Sequence, residues 1–299
     1  MRAVYEPLGD HVVVEPLTFS ESELDAQAFL SMMAVGSSDS APLYVQIILT
    51  ILRELGEKFT YQAFMKELDL RKQQFNPAQL SGLEQRMSLL TSFIYKKACG
   101  YGQAKKALPR FAGGRLTIID LSDPFIDPAS ACGLFEIITR LFVRAEVGTG
   151  KVLVVDEAHK YLSATRASSG LTNALLTLTR QQRHLSMRVI ISTQEPTVVP
   201  AVLLDLCGVI FLHRFSSPSW WEHLVKHVSA DFTGSDAAFD KVVRLQAGQA
   251  IVLAPSALGV FSHGNNRILS QLGRRYLVMK TRKRVTRDGG ASILVLESS

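Results

Sequence analysis

Two acids close the apolar run in KVLVVDEAHKYL, residues 151–162, and a glutamine closes another in MRVIISTQ, residues 187–194. Runs of this kind deliver their last residues to the rim of a sheet. Asp156 there is suited to holding a water of hydrated magnesium. Glu157, one residue on, points elsewhere and can orient an attacking water. Gln194 ends its run at the matching height and can contact a terminal phosphate or that water, and Thr193 beside it is a further candidate for cofactor contact. Between the two runs, Arg180 and Arg183 of LTRQQRHLS could stabilise a transferring phosphoryl group, because a guanidinium stays charged and binds with two prongs. Each residue also has an ordinary explanation. Acids end strands where the chain meets solvent, and arginine favours helix C-termini through the macrodipole.

Such a rim needs β-α alternation to build it. The sequence predicts a short strand at HVVV, residues 11–14, then a helix begun by a capping box of Ser20 and Glu23. Helices follow in PLYVQIILTILRELG, TYQAFMKELDL and NPAQLSGLEQRMSLLTSFIYKK, the last with Leu80, Leu83, Met87, Leu90 and Ile94 spaced by three or four. From residue 99 the chain is loop-like, and then RLTIIDLSDP, KVLVVDE, MRVIISTQ, GVIFLHR and AGQAIVLAP alternate with helical segments. Continuous apolar strands with crossover helices imply a parallel sheet covered on both faces, whose ligands bind at the strands' carboxyl ends. The expected fold class is α/β, a parallel sheet flanked by helices with a small N-terminal helical subdomain. The expected organisation is 1–98 as strand and helical lid, 99–265 as the α/β core, and 266–299 as a basic tail.

The formal charge of +6 is concentrated: RILSQLGRRYLVMKTRKRVTR, residues 267–287, holds eight of the 33 Lys and Arg and no acid. Arg282, Lys283, Arg284 and Arg287 could therefore grip a phosphate backbone or an interface, or form a solvated edge. Three scattered cysteines support neither a disulfide framework nor a zinc site, and His223 with His227 lacks a third ligand. Trp220 and Trp221 fit packing better than base stacking. With no signal-peptide or membrane-span pattern, the expectation is a soluble cytoplasmic or nuclear protein without structural metal.

The order VLVVDEAHKYL, LTRQQRH, VIISTQEPTVVP, AGQAIVLAP resembles the second half of the ATPase core of the HerA and FtsK branch of P-loop motor proteins, over roughly residues 110–290. That resemblance implies a RecA/ASCE-like P-loop NTPase fold, ATP and Mg2+ as ligands, self-assembly into a ring, and DNA or polypeptide as cargo. It gives Asp156 and Glu157 the Walker B roles, Gln194 the sensor role and Arg180 or Arg183 the finger role. The letters DEAH also occur in another helicase superfamily, and Ser163-Ala164-Thr165 follow them here, but that superfamily's arginine-rich motif is not found and STQEP favours the motor resemblance.

A phosphate cradle of the form G-x-x-x-x-G-K-[ST] is not found. AEVGTGKV has Ala145 for the first glycine and Val152 for the hydroxyl residue, and it precedes a strand, so it reads as a turn. In the resembled family the cradle lies upstream of the helical block. The expectation is a partial or degenerate HerA-like ATPase that does not bind ATP tightly or hydrolyse it alone. The alternative is a non-catalytic pseudo-ATPase that serves as an interaction module.

Overall fold

Apolar residues at three- and four-residue spacing set the helices, and a computed structural model shows where they meet. The structure describes residues 9, 12–32, 43–94, 109–121, 126–162, 169–228, 235–263 and 266–282. The chain divides into two units, Leu17–Leu206, and Met1–Pro16 with Cys207–Ser299.

The larger unit opens with a single 3-10 turn, Glu21–Glu23, in which the Ser20 amide donates to the Glu23 carboxylate at 2.8 Å. The helix expected from that capping box begins later. It is α1, Ala26–Met32, capped by Asp25, whose Oδ1 accepts the Ala28 amide at 2.7 Å. Then come α2 (Leu43–Leu55), α3 (Tyr61–Arg71) and α4 (Pro77–Phe93). Their apolar stripes converge, so that Phe29, Ile48, Ile51, Phe64, Leu83 and Leu90 lose all contact with solvent. A fifth helix, α5 (Pro128–Arg144), places Leu134 and Ile137 in this same core. Gly133 allows its close approach to α1, since a Cβ there would stand 2.6 Å from the Ser31 carbonyl oxygen. At about 1.5–3 kcal/mol per fully buried large side chain, this block dominates the stability of the unit.

From α5 the chain turns at Gly148, φ +66°, into β1 (Lys151–Val155), so AEVGTGKV is the turn expected and opens no helix. Lys151 Nζ ties the start of β1 to α5 by donating to the Val143 carbonyl at 2.6 Å. After α6 (Ser169–Gln181) comes β2 (Met187–Ile191), parallel to β1 with Val155 opposite Ile191, and then the short α7 (Ala201–Asp205). The fold is mixed α/β, with a parallel strand pair, accompanying helices and a helical N-terminal part.

The extent of the sheet differs from expectation. Residues 115–121, expected as a buried strand, form no regular element and pair with no strand among the described residues. Leu116 and Ile118 are 83% and 72% exposed, while Ile119 and Leu121 rest on the helical core. Asp123 and Pro124 lie outside the described residues. Nor is the pair covered on both faces: Val152 and Val154 are each 57% exposed and Ile190 52%. An apolar run becomes a strand only where a neighbouring backbone satisfies its amides, and composition does not supply that neighbour.

In the smaller unit, residues 12–14 form no strand, and His11 is outside the described residues. β3 (Ile210–Leu212) is followed by α8 (Pro218–His227), α9 (Ser235–Val243) and β4 (Gln249–Leu253). The hairpin of β5 (Leu258–His263) and β6 (Asn266–Gln271) leads to β7 (Tyr276–Lys280). β4 pairs antiparallel with both β3 and β7, whereas GVIFLHR and AGQAIVLAP were expected to join the parallel sheet. The first part of the expected tail is thus folded into β6 and β7. Trp221 is buried with its ring 5.8 Å from that of Phe239, a packing role. Among the described residues no helix is long and apolar enough to cross a membrane.

Candidate functional site

The last residues of β1 and β2 are neighbours, and the ladder continues one step past each strand. The Ser192 amide donates to the Val155 carbonyl, and the Ala158 amide to the Ser192 carbonyl, both at 2.9 Å. Two consecutive acids and the sequence Ser-Thr-Gln therefore face each other across one rim. Asp156 is exposed, and its Oδ1 accepts the Ser192 hydroxyl at 2.7 Å and the Glu157 amide at 3.0 Å. Its Oδ2 has no partner among the described residues. The backbone then reverses abruptly at Glu157, which sits in the left-handed region at φ 51°, ψ 42°. For a residue with a Cβ this costs about 1–2 kcal/mol, so the surrounding contacts must hold it.

Those contacts are visible. Gln194 Nε2 donates to Glu157 Oε1 at 2.8 Å and to Oε2 at 2.9 Å. His159 Nε2 lies 3.4 Å from Oε2. Asp156 and Gln194 thus stand on the same rim, as the spacing predicted, and the direct partner of the glutamine is Glu157. Thr193 is different. Its hydroxyl donates to the Glu195 carbonyl and accepts the Glu195 amide, each at 3.1 Å, so it is engaged in a local turn.

Arg180 and Arg183 lie at the other rim. Arg180 is in the last turn of α6, and the Arg183 carbonyl accepts the Ser186 amide just before β2 begins. Five residues of strand, about 16 Å at 3.3 Å per residue, separate that end from the acids. Both side chains are exposed and make no ion pair among the described residues. In the smaller unit Arg282 is exposed, and Lys283, Arg284 and Arg287 lie outside the described residues. The rings of His223 and His227 are 5.4 Å apart on α8, and among the described residues no three metal-ligating side chains gather.

Ser192 and His159 escaped the sequence reading. Both stood inside the quoted motifs, as the Ser of STQ and the His of DEAH. Nothing in their spacing showed that each would meet an acid.

The donor set suits a hydrated divalent cation: a free carboxylate oxygen on Asp156, fixed through its other oxygen, beside a second carboxylate. Without a cation, two acids would repel a polyphosphate by about 1 kcal/mol per close contact in water.

No known protein family matches the sequence, and no curated protein matches it. Solved structures similar to it include the genome packaging NTPase B204 from Sulfolobus turreted icosahedral virus 2 in complex with AMPPCP. That similarity has 15% identity over 56% of this chain and 66% of the other, with a TM-score of 0.35. The ATP-gammaS complex of the same protein gives 15% identity, 51% and 60% coverage and a TM-score of 0.33. B204 described as the DNA-packaging ATPase from Sulfolobus turreted icosahedral virus gives 17%, 44%, 52% and 0.32. The chain therefore spans less than two thirds of these proteins.

Proposed function

We propose that this chain carries the acid and sensor half of an ATP-hydrolysing site of the HerA and FtsK kind. The observation that carries the reading is the rim itself, where Gln194 holds both oxygens of Glu157 one residue from the free oxygen of Asp156. In this reading Asp156 receives a water of hydrated Mg2+ through Oδ2, while Ser192 keeps the carboxylate from turning. A Mg2+ held there would supply neutralisation of charge on the transferring phosphoryl group. Glu157 accepts the proton of the attacking water, and Gln194 senses the terminal phosphate. Arg180 or Arg183, being on the far rim, serves the site of an adjacent copy, which makes the active form an oligomer.

The phosphate cradle is not among these 299 residues. Residues 1–299 alone should bind MgATP weakly and release no phosphate above background. A longer product of the same reading frame that supplies a strand and a G-x-x-x-x-G-K-[ST] loop should turn over ATP, with loss of about a hundredfold or more in Glu157→Gln. Robust turnover by residues 1–299 would overturn the part of the reading that concerns the cradle. An active form indifferent to Glu157→Gln would overturn the site.

The nucleic-acid reading rests on residues 267–287, which hold eight Lys and Arg and no acid. Arg267, Arg274 and Lys280 are exposed and unpaired among the described residues. Binding to duplex DNA, followed by fluorescence anisotropy, should weaken steeply as salt rises. One observation favours the second reading, an interaction module: the uncovered side of β1 and β2 with Val152, Val154 and Ile190, a surface of the kind that partners cover.

A further inference from the structure

We propose that His159 is a positioning residue for Glu157, a second group beside Gln194 that keeps this carboxylate in place. The proposal rests on the reading of Glu157 as the base that accepts a proton from water. Gln194 has two amide hydrogens, and its nitrogen serves both carboxylate oxygens of Glu157. Set between the two oxygens, that nitrogen directs one hydrogen at the carboxylate and keeps the other free for a ligand. A ligand that drew Gln194 toward itself would loosen this hold on Glu157, whose side chain is one-third exposed on a left-handed backbone.

His159 is the other group within reach, with Nε2 3.4 Å from Oε2. Three features fit it for the task. Its ring is largely buried, with 22% of the side chain exposed. Its backbone is pinned: it lies in the 3-10 turn Ala158–Lys160, next to the fully buried Ala158, and the Lys160 amide donates to the Glu157 carbonyl at 2.9 Å. Finally, Nδ1 is buried with no hydrogen-bond partner. A proton on Nδ1 would be a buried donor without an acceptor, which is costly, so the neutral ring carries its single hydrogen on Nε2, the nitrogen that faces Glu157. The gap of 3.4 Å is long for a hydrogen bond, and such contacts commonly tighten once a ligand is bound. With one oxygen held by His159, the other stays available to water.

Nitrogen-15 NMR of the full chain, with labelled histidine at alkaline pH, tests the hold without any need for turnover. His159 should show the Nε2-protonated tautomer with a slowly exchanging ring N–H. That proton should persist in Gln194→Ala and vanish from the slowly exchanging set in Glu157→Ala. An Nδ1-protonated ring, or a ring N–H indifferent to Glu157→Ala, would overturn the proposal. In a form that turns over ATP, His159→Ala should lower kcat by about tenfold or more with little change in KM, and His159→Gln, which keeps an N–H donor, should recover most of it. Equal kcat in wild type and His159→Ala would likewise overturn it. If no form hydrolyses ATP while the tautomer and exchange results hold, it is the hydrolytic reading of the rim that fails, and the hold of His159 on Glu157 stands.

Discussion

The helical block and the parallel strand pair belong to the same unit and are both built from apolar residues, but they treat those residues in opposite ways. In the block, Phe19, Phe29, Phe64, Leu83 and Leu90 are sealed from solvent. In the pair, every second residue on one side is left in water, Val152 and Val154 among them. Burial, not composition, generates stability, so the block anchors the unit while the pair presents chemistry from a thinly supported edge. Amides of β1 and β2 should accordingly exchange before those at the centre of α4.

Substitutions can break or sharpen this contrast. The largest effect belongs to the block: Phe64→Ala should destabilise the unit by about 3–5 kcal/mol, read from urea denaturation. A loss under 1 kcal/mol would mean that the block does not carry the unit. On the pair, the expected sign is reversed at Ser186, a non-glycine residue at φ 48° just before β2. Ser186→Gly should stabilise by up to about 1 kcal/mol by relieving left-handed strain, seen as a higher urea midpoint.

A pH-dependent effect singles out the block again. Burial by itself would raise the Asp25 pKa, but the Ala28 amide and the ion pair with Arg144, aided by Arg140, outweigh it and hold the carboxyl below its ordinary 3.8. A depressed carboxyl contributes stability above its unfolded pKa and loses it as the pH falls through the folded one. The urea midpoint should therefore drop as pH falls below 4, by less in Asp25→Asn than in wild type. The smallest effect is expected on the open side of the pair, where Val154→Thr should change stability by no more than about 0.5 kcal/mol.

How much of this could be read from residues alone varied with how far each feature depends on neighbours. Helices with a regular stripe, such as that of Leu80, Leu83, Met87, Leu90 and Ile94, were legible because an i, i+3, i+4 pattern needs no partner to declare itself. The parallel pairing of KVLVV with MRVII was legible from two runs rich in β-branched residues around one helix. RLTIIDL was not, because its pattern matches theirs and only the presence of a pairing backbone separates a strand from irregular chain. The antiparallel pairing of β3 with β4 was hidden for the same reason. At the rim, the meeting of the acids with Gln194 followed from strand lengths. The left-handed turn at Glu157 and the approach of His159 did not, since no residue type marks either.

The placement of Arg180 and Arg183 at the end of the strands remote from the acids carries a genetic consequence under the proposed function. A subunit with Glu157→Gln keeps its arginines, and one with Arg180→Ala and Arg183→Ala keeps its base. Each is inert by itself. Co-assembled, they would form junctions that are whole, so two dead alleles would complement each other in one cell.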